Sequence, residues 1–393
     1  MSNRCFICCN DPFPFGTANS NYIRNMALAL YKADYEVIVV GLIEKDTVLG
    51  KEECGVYERI QFVNILNKRS KLPFRVRNHL LFGKDIVKVL SRFDIVPQDR
   101  IIVYTDFISV TNSLLSKYKK NNQCDNIAYC IVEWFQAHQF TCSYLSLDYI
   151  FWKLHFDFLM PRYHKVIGIS EKLSKHFKCL GCRTLTLPCL VDCEQVSPNL
   201  IRKSKEQYDF IYPGAATNKD SLEGMLKGLL LLNDDERKKI RFHFTTLRPE
   251  KLLEAAKCQN DALEQLKDVL IFHGRMEYSD LLNLYQEMDF LFLARERNII
   301  TESNFPSKVP EMLAYGTVPV CSKVGDYTNL YLKNGIDSIV FEGATPEACA
   351  DAYRKAIAIA SNEMKTMRAN ARKLAETKLD YRMWDRALKK FFD

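Results

Sequence analysis

Apolar and polar residues fall along this chain in short alternating blocks. Runs rich in β-branched and aromatic residues predict strands at 4–9 and 36–43, and the amphipathic stretch 19–33 between them predicts a helix. Further runs predict strands at 101–105, 126–132 and 165–170, with a short one at 184–187. A second series opens at 208 with YDFIYP and continues at 241–246, 269–274, 289–294, 318–322 and 338–343. Strands alternating with helical stretches predict an α/β architecture with parallel sheets, here in two doubly wound sets. The polar stretch 193–207 separates the two sets and reads as a linker. Expected boundaries are 1–195 for the first domain, 205–370 for the second, and a helical tail from 371 to 393 that returns to the first. That tail carries Tyr381, Trp384 and Phe391, aromatics expected to be buried. A helix with Thr345 as N-cap and Pro346 at N1 closes the second set.

Length agrees with two domains, since 393 residues exceed one ordinary core. No apolar run reaches the roughly 18 residues of a membrane span, and the N-terminal CFICC lacks the context of a signal peptide. The 14 cysteines lie scattered in apolar strands, which predicts reduced thiols and a cytoplasmic protein. Cys179, Cys182, Cys189 and Cys193 keep a zinc site open beside free thiols. The net charge of +7 is matched by the window 68–92 alone, which holds Lys68, Arg69, Lys71, Arg75, Arg77, Lys84, Lys88 and Arg92 against Asp85. With Phe74 and Phe82 interleaved, this window suits an anionic membrane surface or acceptor better than nucleic acid, beside the plain reading of a solvated basic helix. The aromatic stretch 144–163 has helical spacing and is expected to line the core or an acceptor cleft rather than to anchor a membrane, with the alternative that it joins the basic window on one face.

The segment 295–316 carries the most chemistry. It predicts a loop turning into a short helix, with Ser307 as N-cap, Lys308 at N1, Pro310 in the first turn and Gly316 at C′. Free N–H groups and a lysine at such a terminus, with Arg295 upstream, suit a phosphate. Glu311, one turn further, can accept hydrogen bonds from sugar hydroxyls. Two strand-to-helix loops offer close backbone approach: Gly214 to Lys219, with Asp220 or Ser221 capping the next helix, and Gly16 with Thr17. Doubly wound domains hold ligands at the carboxyl ends of their strands. No G-x-G pair, P-loop or D-x-D motif occurs, so a bound diphosphate must be met by Lys219, Arg295, Lys308 and helix termini.

In this order, the features resemble the retaining glycosyltransferases of GT-B fold, family four, also described as glycosyl transferases group 1. The likeness rests on the glycine and lysine loop at 214–219, a stretch VLIFHG at 269–274 close to V-x-F-x-G, PSKVPEMLAYGTVPV at 306–320 and NGIDSIVF at 334–341. RERN at 295–298 followed by SNFPSKVPE at 303–311 is similar to the subgroup of capsular and other surface-polysaccharide assembly. The resemblance implies two Rossmann-like domains facing across a cleft, and transfer of a sugar from a nucleotide-diphosphate-sugar to a glycan or lipid-linked acceptor with retention. It implies no cofactor or metal, and a cytoplasmic site that could include peripheral contact with the membrane. Lys219 and Lys308 would bind the diphosphate with Arg295 and the Ser307 turn, Glu311 the ribose, and Gly16, Thr17 and Gly214 would approach from the loops.

The chain departs from the family at two places. Where many members have two glutamates separated by seven residues, with Glu311 as the second, Ser303 stands at the first, with Glu302 one position off. Where many carry a histidine after the fourth strand, Glu133 and Trp134 stand instead, and His138 follows closely. Glu133 and His138 join Lys219 as catalytic candidates, with an ion pair as the structural alternative for Glu133. The rival function is a degenerate nucleotide-sugar-binding or anionic-membrane-binding protein of the same fold.

Overall fold

The structure is a computed structural model that describes residues 3–44, 53–67, 74–198, 200, 206–215, 219–274 and 276–393. The chain divides into two compact units, Met1–Leu190 with Tyr381–Asp393, and Val191–Asp380.

The first unit is built on an eight-stranded sheet of β1 (Arg4–Cys9), β2 (Glu36–Glu44), β3 (Cys54–Tyr57), β4 (Ile60–Asn67), β5 (Arg100–Tyr104), β6 (Asn126–Ile131), β7 (Lys165–Gly168) and β8 (Arg183–Thr186), in the order β3-β4-β2-β1-β5-β6-β7-β8. Every neighbouring pair is parallel except β3 with β4. Strands covered on both faces must be apolar throughout, and Cys5 to Cys9 are accordingly fully buried. The β3–β4 hairpin was not expected from the sequence. It turns through Glu58 and Arg59, both at positive φ (43° and 70°), without the Asn-Gly or Asp-Gly pair that marks such turns. The C-terminal helix Asp385–Phe392 buries Leu388, Phe391 and Phe392 in this unit, and Lys165 Nζ donates to the Phe392 carbonyl at 3.2 Å. Tyr381 and Trp384, expected to be buried, are only half-buried.

The second unit holds six parallel strands: β9 (Tyr208–Tyr212), β10 (Ile240–Phe244), β11 (Leu270–Phe272), β12 (Phe290–Leu293), β13 (Val318–Ser322) and β14 (Ile339–Phe341), in the order β11-β10-β9-β12-β13-β14. Each lies within a residue or two of its expected place. Phe210, Phe242, Phe290, Phe292 and Tyr353 form one aromatic layer of its core. The helices Leu222–Leu230 and Pro346–Ile357 pack through Gly224 and Gly228. A Cβ on Gly224 would fall 2.0 Å from the Ala344 carbonyl oxygen, so only glycine permits this approach.

The start of the expected linker is packed, not free. Val191 bridges Asp380, the Cys193 amide donates to Asp380 Oδ2 at 2.9 Å, and Arg372 donates to the carbonyls of Cys193 and Val196. The same contacts keep 371–380, placed in the returning tail by the sequence, inside the second unit; the return begins at Tyr381. Residues 199 and 201–205 of that linker lie outside the described residues.

Candidate active site

In the second unit, strand order reverses between β9 and β12, and the loops after these two strands meet at that switch point. The Ser221 amide donates to the Ala294 carbonyl at 2.7 Å and ties the loops together. Ser221, rather than Asp220, caps the helix Leu222–Leu230, accepting from the Gly224 amide at 3.2 Å. Asp220 is thereby turned inward and is buried. Its Oδ1 accepts from Arg295 Nε at 2.6 Å; its Oδ2 accepts from the Tyr212 hydroxyl at 2.6 Å and from Lys308 Nζ at 3.3 Å. Lys308 Nζ also sits 3.7 Å above the centre of the Tyr212 ring, a cation–π contact.

Two cations face the one buried carboxylate of the cluster, and Glu311 is near enough to Lys308 to be felt by it. Burial alone raises the Asp220 carboxyl. Arg295 and Lys308, with the hydrogen bonds from Tyr212 and Arg295, outweigh burial and hold the group well below the usual carboxylate range. Burial pulls the Lys308 ammonium down to about 8, Arg295 adding to the shift and Asp220 opposing it. Gly214, at φ +91°, brings bare backbone to this spot, and a Cβ there would lie 3.7 Å from Lys308 Cε. Ordinary L-residues avoid that backbone conformation, so glycine is required.

The expected residues take distinct places around this cluster. Arg295 is 4% exposed and uses Nη1 on Asn304 Oδ1 at 3.1 Å, so it faces protein on every side that is accounted for. Lys219 and Glu311 are half-buried, and Glu311 lies close enough to raise the Lys308 pKa. Ser307 precedes the helix Lys308–Ala314 but has helical φ and ψ and makes no side-chain cap, which corrects the capping expectation. The Val309 amide instead reaches the Pro306 carbonyl at 3.1 Å. Gly316 ends the turn at φ +74°, as its C′ position requires. Ser303 is buried, and Glu302 is held by Arg297 at 2.6 Å. Sequence reasoning missed the counter-ion role of Asp220 and the ring of Tyr212. The only signal was a carboxylate between a lysine loop and a serine cap.

In the first unit, Thr17 caps the helix Ala18–Lys32 through a capping box with Ser20 and donates to Asp11 Oδ1 at 2.8 Å. Gly16 precedes it at φ +143°. Asp11 Oδ2 accepts from Asn19 Nδ2 at 3.2 Å, and Asn19 Oδ1 accepts from the Tyr104 hydroxyl at 3.0 Å. Beside this chain lies a cavity of about 270 Å³ at the carboxyl ends of β1, β5 and β6, with Glu133 and Asp106 in its wall. His138 is exposed in the following turn and borders a separate hollow with Tyr144 and Lys153. Glu133 and His138 therefore do not share a cavity.

Lys68, Arg69 and Lys71 lie outside the described residues, as does the Arg75 side chain. Arg77 is half-buried and pairs with Asp85 at 3.2 Å, so it does not extend the expected basic surface. Phe82, expected to interleave with that surface, is fully buried. The stretch 144–163 splits by face. Trp152 and Phe156 enter the core, whereas Leu147, Ile150, Leu154 and Phe158 form an outward stripe, 60, 38, 45 and 64% exposed. The 14 cysteines are free thiols. Cys182 and Cys189 are buried in the first unit, Cys193 is buried in the second, and Cys179 is exposed. Among the described residues, no three His, Cys, Asp or Glu side chains gather as a metal-binding group.

Residues 197–374 match the family model described as glycosyl transferases group 1, and this match supports glycosyl transfer as the chemistry of the second unit. No curated protein matches the chain. Among solved structures, a glycosyltransferase from Rickettsia africae shares the fold at a TM-score of 0.69 and 14% identity, over 100% of this chain and 98% of that one. Sucrose-phosphate synthase from Thermosynechococcus elongatus does so at 0.72 and 12%, over 99% and 98%. Anabaena HepE in complex with UDP and glucose does so at 0.69 and 12%, over 98% of each chain. The two Rossmann-like sheets and these neighbours make the fold GT-B.

Proposed function

We propose that this chain transfers a sugar from a nucleoside-diphosphate sugar, held by its second unit, to a glycan or lipid-linked acceptor. Transfer proceeds with retention and without a metal, on the cytoplasmic side of the membrane, in assembly of a surface polysaccharide or glycoconjugate. The observation that carries this reading is the half-buried Lys308 beside Gly214, poised on the buried Asp220 at the switch point of the second sheet. Anabaena HepE was solved with UDP and with UDP-glucose, and an E. coli trehalose-6-phosphate enzyme with UDP-2-fluoro glucose, which makes UDP-sugars the first donors to try.

Each residue then has a task. Lys308 and the backbone at Gly214 meet the diphosphate, Lys219 adds a second cation, and Glu311 accepts from the ribose hydroxyls. Arg295 acts through Asp220, fixing the carboxylate that orients Lys308. The charge that grows on the leaving diphosphate is thus met by groups already in place, the largest stabilising effect available to such a transfer. Glu133 contacts the acceptor from the first unit. Incubation with UDP-, GDP- and ADP-sugars, followed by NMR, should give sugar release or transfer with the donor's anomeric configuration. Turnover should persist in chelator and fall at least 100-fold in Lys308→Ala. Nucleotide binding without turnover of any donor would favour the degenerate binder.

Peripheral membrane contact belongs to the same reading. Among the described residues, no helix is long and apolar enough to cross a membrane. The stripe Leu147, Ile150, Leu154 and Phe158 supports contact with a bilayer surface, as an apolar helix face left in water does. Flotation with vesicles of anionic lipid should carry the protein, and Leu154→Glu with Phe158→Glu should abolish it. Equal flotation of that variant would remove the stripe from the account.

A further inference from the structure

Tyr212 ends β9 at the switch point of the second unit, fully buried, with its ring 6.1 Å from that of Phe244 on the neighbouring strand. A tyrosine buried among aromatics must find a partner for its hydroxyl. Here the hydroxyl donates to Asp220 Oδ2 at 2.6 Å, while the face of the same ring lies 3.7 Å from the Lys308 ammonium. One side chain therefore grips both members of an ion pair, the acid by its edge and the base by its face.

The distances rank the two donors that compete for Oδ2. A hydroxyl on a carboxylate runs about 2.5–2.7 Å and an ammonium about 2.7–2.9 Å. The tyrosine bond falls within its range, whereas Lys308 Nζ stands off at 3.3 Å. Oδ1 is taken by Arg295 Nε at 2.6 Å. Among the described residues, Asp220 is the only hydrogen-bond partner of Lys308 Nζ, so donors remain on a group that has three. Beyond burial, which lowers its pKa most, the ammonium is favoured by Asp220 and Glu311 and opposed by Arg295. Resting on the transferase reading, we propose that Tyr212 is a positioning residue for the diphosphate contact. Its hydroxyl keeps Asp220 from closing on Lys308, and its ring holds the ammonium at the cluster with donors left for a phosphate. A tight lysine–aspartate pair would have to open for every ligand bound, whereas a cation–π contact leaves the outward N–H groups in place.

The test is Tyr212→Phe in the full chain, which keeps the ring and its packing and removes only the hydroxyl. NMR of the lysine ε-carbons in the nucleotide-free protein, with the signal assigned through Lys308→Met, follows the ammonium itself. Its titration should move up by about one pH unit in Tyr212→Phe, because the released carboxylate oxygen closes on the cation. Affinity at pH 7 for whichever of UDP, GDP and ADP binds should fall about tenfold. In a Lys308→Met background the same substitution should leave affinity unaltered, which a general loosening of the core would not do. Should Tyr212→Phe melt too early, the wild type carries the test: the ring should shift the Lys308 ε-methylene protons upfield, and bound nucleotide should leave that shift in place. A titration unmoved by Tyr212→Phe, an equal loss of affinity in the Lys308→Met background, or no ring shift in the wild type would each overturn the inference. If the titration moves as stated while the wild type binds no nucleotide, the transferase reading fails and the hold of Tyr212 on Lys308 stands.

Discussion

Lys308 is half-buried with its charge held by Asp220, and desolvation draws its ammonium down to about 8 rather than above 10. Between those values the native protein binds fewer protons than the unfolded chain, so this group makes stability rise with pH across that window. Function runs the other way. A free site loses its cation as pH passes about 8, whereas a bound diphosphate raises the pKa again and draws a proton in. Nucleotide affinity should therefore be flat below pH 7 and weaken by up to tenfold per unit above about 8. Calorimetry in buffers of different ionisation enthalpy should detect proton uptake near pH 8, and Lys308→Met should abolish both effects. Affinity unchanged to pH 9.5 would mean that this ammonium does not meet the ligand. The sequence singled out Lys308, Gly214 and Glu311 as candidates because a cation and a glycine beside a helix start have a local pattern. Asp220 was hidden, since its role depends on Arg295, 75 residues away.

At the scale of elements, the strands buried on both faces were legible as apolar runs, whereas the edge hairpin was not. β3 has the alternating exposure of an edge strand, with few apolar positions to mark it, and its turn uses Glu58 and Arg59. Left-handed backbone costs ordinary residues roughly 1–2 kcal/mol each. Introducing an Asn-Gly turn through Glu58→Asn with Arg59→Gly should stabilise the protein by about 1 kcal/mol against denaturant, less whatever the exposed Arg59–Tyr31 hydrogen bond contributes. An unchanged or lower midpoint would show that the native turn carries no such strain. The stretch 144–163 was legible in part for a related reason: its buried residues were expected, but not which face would lie outside. Helical spacing reveals that a stripe exists, but an apolar stripe on each of two faces gives no sign of which one meets the core.

For the molecule as a whole, the two doubly wound units followed from the repeated strand pattern, because each set of parallel strands needs its own core, while the GT-B assignment came from the family resemblance. The domain limits followed less well. Cys193 and Asp380 belong to one packed patch of the second unit although 187 positions separate them, a pairing that no local pattern carries. The account stands on the second unit as a nucleotide-diphosphate site, and isothermal titration of the full chain with UDP, GDP and ADP addresses this directly. It predicts saturable binding of one of them, weakened at least 100-fold in a folded Lys308→Ala variant. Binding of none, or equal binding by wild type and variant, would contradict it.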